Sequence, residues 1–222
     1  MIRRHRLLAI AAVLLAVPAW TAAQPTDKPV RIAVYGTAGV FTATAADSFT
    51  AILDKRNGTD IGAGAQIALQ TGMLRGLFVQ VDASRFEETG QRVFVEDREV
   101  FPLGIPLTIG LTPIEVSAGY RFNPSRRVRG GTVRSRFAVF AGGGVGSVGY
   151  KELDDADVFN ERFTAYHVMG GADVTVWKMI QVGAEVRYRT VPDSLGVGGV
   201  SDEFNETDLG GTTIRVRFGV AF

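Results

Sequence analysis

The chain has 222 residues, with 24 Lys and Arg against 23 Asp and Glu, and no cysteine. A charge so close to neutral gives no support for a nucleic-acid partner, and a cysteine-free chain uses no disulfides. The length suits one domain.

Arg3, Arg4 and Arg6 precede an apolar run from Leu7 to Val17, and Ala22-Ala23 follow. This order reads as a secretory signal peptide over residues 1–23, cleaved before Gln24. The run is too short to span a bilayer as a helix, and Pro18 interrupts it. Residues 24–222 then carry 21 basic and 23 acidic side chains. No later stretch reaches helical spanning length. If the protein crosses a membrane it does so as a β-barrel, because every lipid-facing N–H and C=O must be paired.

Period-two alternation marks the strands in order. Val30, Ile32, Val34 and Val40 open the series. Ile61 to Leu69 alternates with Gly62, Gly64, Gln66 and Gln70. Leu77, Val79, Val81 and Ala83 alternate with Phe78, Gln80, Asp82 and Ser84. Ile114, Val116, Ala118, Tyr120 and Phe122 alternate with Glu115, Ser117, Gly119 and Arg121. Near Phe137, Val139 and Val145 the glycines blur the phase. Tyr166 to Val176 and Ile180 to Tyr188 follow, joined by a tight turn. Last come Ile214, Val216, Phe218, Val220 and Phe222 against Thr213, Arg215, Arg217, Gly219 and Ala221. The eight strands are expected near 30–41, 60–71, 75–87, 108–122, 134–150, 162–177, 179–190 and 209–222. Short connections alternate with long ones, the habit of up-and-down barrels. Residues 123–133 break that rule, being long where a short turn is expected.

The terminal strand, with Phe218 and Val220 leading to a final Phe222, resembles the assembly signal of outer-membrane barrels. The whole pattern resembles the small eight-stranded family of the OmpA transmembrane-domain and OmpX kind. That resemblance implies an all-β, transmembrane, antiparallel up-and-down barrel over residues 24–222. It implies periplasmic termini and long loops outside the cell. It also implies outer-membrane lipid, lipopolysaccharide and the assembly machinery as partners, with an extracellular partner at the loops. A soluble lipocalin-like barrel, with its apolar residues inside, is the alternative fold.

The inward parity carries Arg31, Asp82, Glu115, Arg121, Arg136, Asp173, Glu185, Arg187, Arg189, Arg215 and Arg217. Eight strands leave an interior just wide enough for side chains, so these charges are expected to pair and plug it. The arginine excess makes a narrow pore for anionic solutes the alternative. The loops 88–107, 151–161 and 191–208 carry net charges of −2, −4 and −5. Hard cations favour such carboxylates, but no ligand loop is complete, so the acids read as solubilising rather than as a cation site.

Three motifs suggest chemistry. Gly144 to Gly149 matches GxGxxG, without the helix a dinucleotide site requires. Asp154-Asp155-Ala156-Asp157 lacks the glycine of a calcium loop, since with Asp155 as the first position Asn160 stands at the sixth. No cofactor or metal is expected. His167 is the single histidine after residue 23. Asp173 lies about 20 Å along the same strand, too far to orient it, which leaves an acid on a neighbouring strand, such as Glu185, as the alternative. No serine adjoins His167, so it reads as a lumen hydrogen-bonding group rather than a catalytic base. In residues 88–107, Val93 to Val95 and Val100-Phe101 flank a turn and suggest a projecting hairpin, although Pro102 and Pro106 would blunt its edge. The expected function is a non-enzymatic surface barrel: structural, adhesive or partner-binding.

Overall fold

The computed structural model describes residues 29–96, 98–128, 131–134, 136–153, 158–196 and 198–222. The expected signal segment and the Asp154–Asp157 motif lie outside them.

The elements run β1 (Val30–Ala43), α1 (Ala46–Leu53), β2 (Asn57–Leu69), β3 (Leu77–Glu96), β4 (Glu99–Phe122), β5 (Ser125–Val128), β6 (Gly131–Arg134), β7 (Phe137–Leu153), β8 (Val158–Trp177), β9 (Ile180–Thr190), α2 (Val200–Glu203) and β10 (Gly211–Ala221). Eight strands close a ring in the order β1-β10-β9-β8-β7-β4-β3-β2. Every pairing is antiparallel, and the ring shuts where Val34 faces Val220. Phe222 extends the seam by exchanging backbone hydrogen bonds with Ile32 at 2.8 and 3.2 Å. Both ends of the described chain therefore sit at one rim, called here the terminal end. The opposite rim is the loop end.

Alternation decides which face meets which solvent. Outward positions form an apolar belt: Ile32 to Val40, Ile61 to Leu69, Leu77 to Ala83, Ile114 to Phe122, Phe137 to Val145, Tyr166 to Val176, Ile180 to Tyr188 and Ile214 to Val220. These segments are close to the roughly 9–11 residues a tilted strand needs to cross hydrocarbon. Tyr120, Phe122, Phe137 and Trp177 border the belt at the terminal end, and Tyr166 and Tyr188 border it at the loop end. Aromatic girdles at both interfaces mark membrane barrels. Apolar outside and charged inside is the inverse of a lipocalin, which removes the soluble alternative.

The wall is taller on one side than the periodicity predicts. β3 has 20 residues and β4 has 24, so the predicted loop 88–107 is mostly paired strand. Residues 151–153 and 158–161 likewise extend the β7–β8 pair. The reason is a register shift between Gln91 and Val93, where Leu103 and Ile105 flank Gly104 at φ 71°. The extra residues flip the parity of the tip, so a continuous alternation is lost although pairing continues to Glu96 and Glu99. Pro102 and Pro106 lie within β4 and do not end it. At the terminal end, the segment predicted to be irregular over 123–133 forms a two-stranded hairpin of β5 and β6, in which Ser125 pairs with Arg134.

Candidate functional site

Five carboxylates (Asp60, Asp82, Glu115, Asp173 and Glu185) and five guanidiniums (Arg121, Arg187, Arg189, Arg215 and Arg217) are buried inside the ring. Asp60 lies near the loop-end margin of β2, at the first residue of the predicted strand, where alternation assigns it no face. Arg136 does not belong to the network. It is exposed in a bend before β7, because the wall's register ends where Phe137 pairs with Val174. Arg31 is only partly buried, at the terminal end. The lumen is thus close to charge balance rather than strongly positive.

The partners lie across the lumen. Glu185 accepts from Arg215 at 2.7 Å and Arg217 at 3.0 Å, and pairs with Arg187 at 2.9 Å. Asp82 accepts from Arg187 at 2.9 Å, Arg215 at 3.0 Å, Gln80 at 2.8 Å and the Tyr35 hydroxyl at 2.9 Å. Glu115 binds the Arg189 fork through 2.7 and 3.2 Å bonds and also accepts from Arg187. Arg121 reaches Asp173 at 2.5 Å. Arg217 stacks over Tyr35 and Phe140, 3.9 and 4.7 Å from their centroids. Gln66 links the network to Arg31 through bonds of 2.8 and 3.1 Å. Gln66, Gln80 and Tyr35 share the inward parity, which was the only sequence signal for them.

His167 finds a serine after all, on another strand. Ser117 Oγ lies 2.7 Å from His167 Nε2. Glu115 Oε1, not Glu185, is the nearest acid, 3.4 Å from Nδ1 and outside hydrogen-bond geometry. Ser117 pairs with Gly144, and Gly144 with His167, so the imidazole crosses a strand that has no side chain there. That explains the glycines at the GxGxxG site: Gly144 and Gly146 let β7 press against β4, as a Cβ on Gly144 would stand 1.9 Å from Val116 O. Acid, imidazole and hydroxyl stand in the order of a hydrolytic triad. Glu115 is nevertheless already held by two arginines, and all three groups are buried. Neither of the two larger cavities is lined by them.

The loop end is closed by an apolar core. Phe41, Phe49, Phe86, Ile109, Leu111 and Leu209 are among its buried members. Phe41 meets Phe86 edge-on at 5.2 Å. The predicted loop 42–59 supplies α1, whose Phe49, Ile52 and Leu53 recur at helical spacing and turn inward. Gly90 makes room for it, since a Cβ there would meet Ile52 O at 1.9 Å. Glu206 clamps the helix start by accepting from the N–H groups of Asp47 at 3.0 Å and Ser48 at 2.9 Å. Asp208 accepts from Val191 and Gly210 N–H at 2.6 and 2.7 Å. Two of the acids in loop 191–208 are therefore structural. Among the described residues no cluster suits a metal ion. Glu206→Ala should cost about 0.5–2 kcal/mol as a lost helix cap. Amide exchange would rise at Ser48 to Leu53 and stay unchanged at β9 and β10; uniform loss across the barrel would contradict this.

The terminal end opens into a cavity of about 640 Å³, bordered by Arg31, Arg75, Arg121, Gln181 and Phe222. Of the ion-paired network, only Arg121 lines it.

A family model for the outer membrane protein beta-barrel domain matches residues 7–222. No curated protein sequence matches the chain. Among solved structures, a major outer membrane protein from Thermus thermophilus is 10% identical, with TM-score 0.50 over 88% of this chain and 99% of that one. Neisserial surface protein A is 12% identical, with TM-score 0.48 over 87% and 96%. The N-terminal barrel of Pseudomonas aeruginosa OprF is 9% identical, with TM-score 0.48 over 88% and 98%. Identities this low speak to the fold alone. With the family model covering nearly the whole chain, the protein belongs to the outer membrane protein β-barrel domain family.

Proposed function

We propose that this is a closed, non-enzymatic barrel that acts through contacts at its loop end. The observation that carries this reading is the doubly blocked lumen, ion-paired at mid-height and capped by an apolar core. In this reading residues 1–23 are removed on export, the termini lie in the periplasm and the long hairpins face outward. Lipid and lipopolysaccharide surround the belt. Phe218, Val220 and Phe222 address the chain to the assembly machinery. The sealed position of Ser117, His167 and Glu115 supports the absence of catalysis.

The β3–β4 tip is the partner-contact surface. Phe94 and Phe101 are 53% and 45% exposed, with ring centroids 6.4 Å apart. Outward Arg85, Glu87, Thr89 and Gln91 separate them from the lipid belt, so the tip is not a membrane anchor. Paired exposed aromatics are the kind of surface that binds protein.

Reconstituted protein should give no reproducible single-channel steps in planar bilayers. Stable anion-selective steps would end the closed-barrel reading and favour the narrow pore, whose support is the arginine-lined cavity at the terminal end. Cells displaying the barrel should attach to protein-coated surfaces, and the Phe94→Ser, Phe101→Ser double variant should fall to background at equal folded amount. Undiminished attachment would exclude the tip.

A further inference from the structure

We infer that the loop end holds a binding site for a small, uncharged amphiphile: an apolar body with one hydrogen-bonding group. A second cavity, of about 470 Å³, lies between α1, the β3–β4 tip, Leu195 and residues 198–203. Its volume falls in the range of about 300–1,000 Å³ typical of small-molecule pockets. Phe49, Ile52, Val93, Leu107, Ile109 and Leu195 give it apolar walls.

One polar group in those walls is unexplained. Ser48 is 5% exposed, and its hydroxyl has no hydrogen-bond partner among the described residues. The other hydroxyls lining the cavity are engaged. Ser201 Oγ accepts from Gly196 N–H at 3.0 Å, and the Tyr150 hydroxyl donates to Glu152. Ser48 does not cap its own helix either, because Glu206 fills that role. A buried unpaired hydroxyl is a standing cost, and a ligand's polar group would remove it.

Charge selects the ligand further. Glu152 and Glu203 border the cavity against one cation, Arg92, which disfavours a carboxylate or phosphate head. The mouth is bordered by exposed Gly198, Gly199 and Glu203. The walls begin beyond the last belt residues of β3 and β4, Ala83 and Ile114. The ligand therefore enters from water and not from the bilayer.

The test uses the refolded barrel in lipid nanodiscs with 1-octanol, octane and octanoate as probes, read by methyl NMR. Octanol should shift the Ile52 and Leu195 methyls saturably, while the outward Ile214 responds linearly through lipid partitioning. Ser48→Ala should weaken octanol about three- to tenfold, the worth of one hydrogen bond, and leave octane unchanged. Octanoate should bind more weakly than octanol. Leu107→Trp and Leu195→Trp, each confirmed folded by heat-modifiable gel mobility, should abolish the saturable component. Shifts that never saturate would overturn the site, as would an octanol affinity indifferent to Ser48→Ala. Tighter octanoate binding would overturn the assigned charge class.

Discussion

Glu185→Gln should cost the barrel about 3–5 kcal/mol, the usual penalty for breaking a buried ion pair from one side. Its carboxylate holds Arg187, Arg215 and Arg217 at once, and all three are buried beside it. Urea titration in lipid vesicles, followed through Trp177 at the edge of the belt, measures the loss. Adding Arg215→Gln should restore part of it, because the second change removes one of the stranded cations, and neighbours in a network are not additive. A loss below about 1 kcal/mol would mean that water shares the lumen and screens the arginines. The same experiment thus bears on function, since a lumen dry enough to punish this substitution is too dry to conduct.

Gly144→Ala should lower stability by about 3 kcal/mol, at the upper end of overpacking costs. The added carbon would stand 1.9 Å from Val116 O and 2.8 Å from the Ser117 Cα, both backbone of β4. No rotamer change relieves a backbone clash, so β4 and β7 must part, and the Ser117–His167 hydrogen bond across them is lost as well. Gly170→Ala is the control. Its nearest neighbour, Phe140 O, lies at 3.6 Å, and its effect should stay within about 0.5 kcal/mol. The fraction folded into the heat-modifiable form reads both. A wild-type yield for Gly144→Ala would show that the strands have slack at this point.

Much of the barrel was legible because parity is local. In TTIRVRFGVAF each residue's face follows from its neighbours, so the lipid belt and the charged interior could be written down strand by strand. Parity places Arg136 inside, but it stands just before Phe137, where β7 begins, and parity has no meaning once the register stops. Past Gln91 the alternation failed because the irregularity around Gly104 inverts it. The projecting β3–β4 tip could be suspected from Val93 to Phe101 but not weighed against Pro102 and Pro106. Pairing down the whole length of β3 outweighed both prolines.

The sequence by itself determined the class: an exported-looking chain, eight spanning strands, apolar outside and charged inside. Only the tertiary structure decided which charges meet. Glu115 finds Arg187 and Arg189 from 72 and 74 residues away, and Ser117 finds His167 across Gly144. Those encounters depend on how the ring closes and how far each strand is displaced along its neighbour, a property of all eight strands together. The same holds for the cap, where Glu206 reaches α1 from a loop 158 residues on. Alternation comes from the geometry of one strand, whereas a contact across the lumen exists only once the barrel is shut.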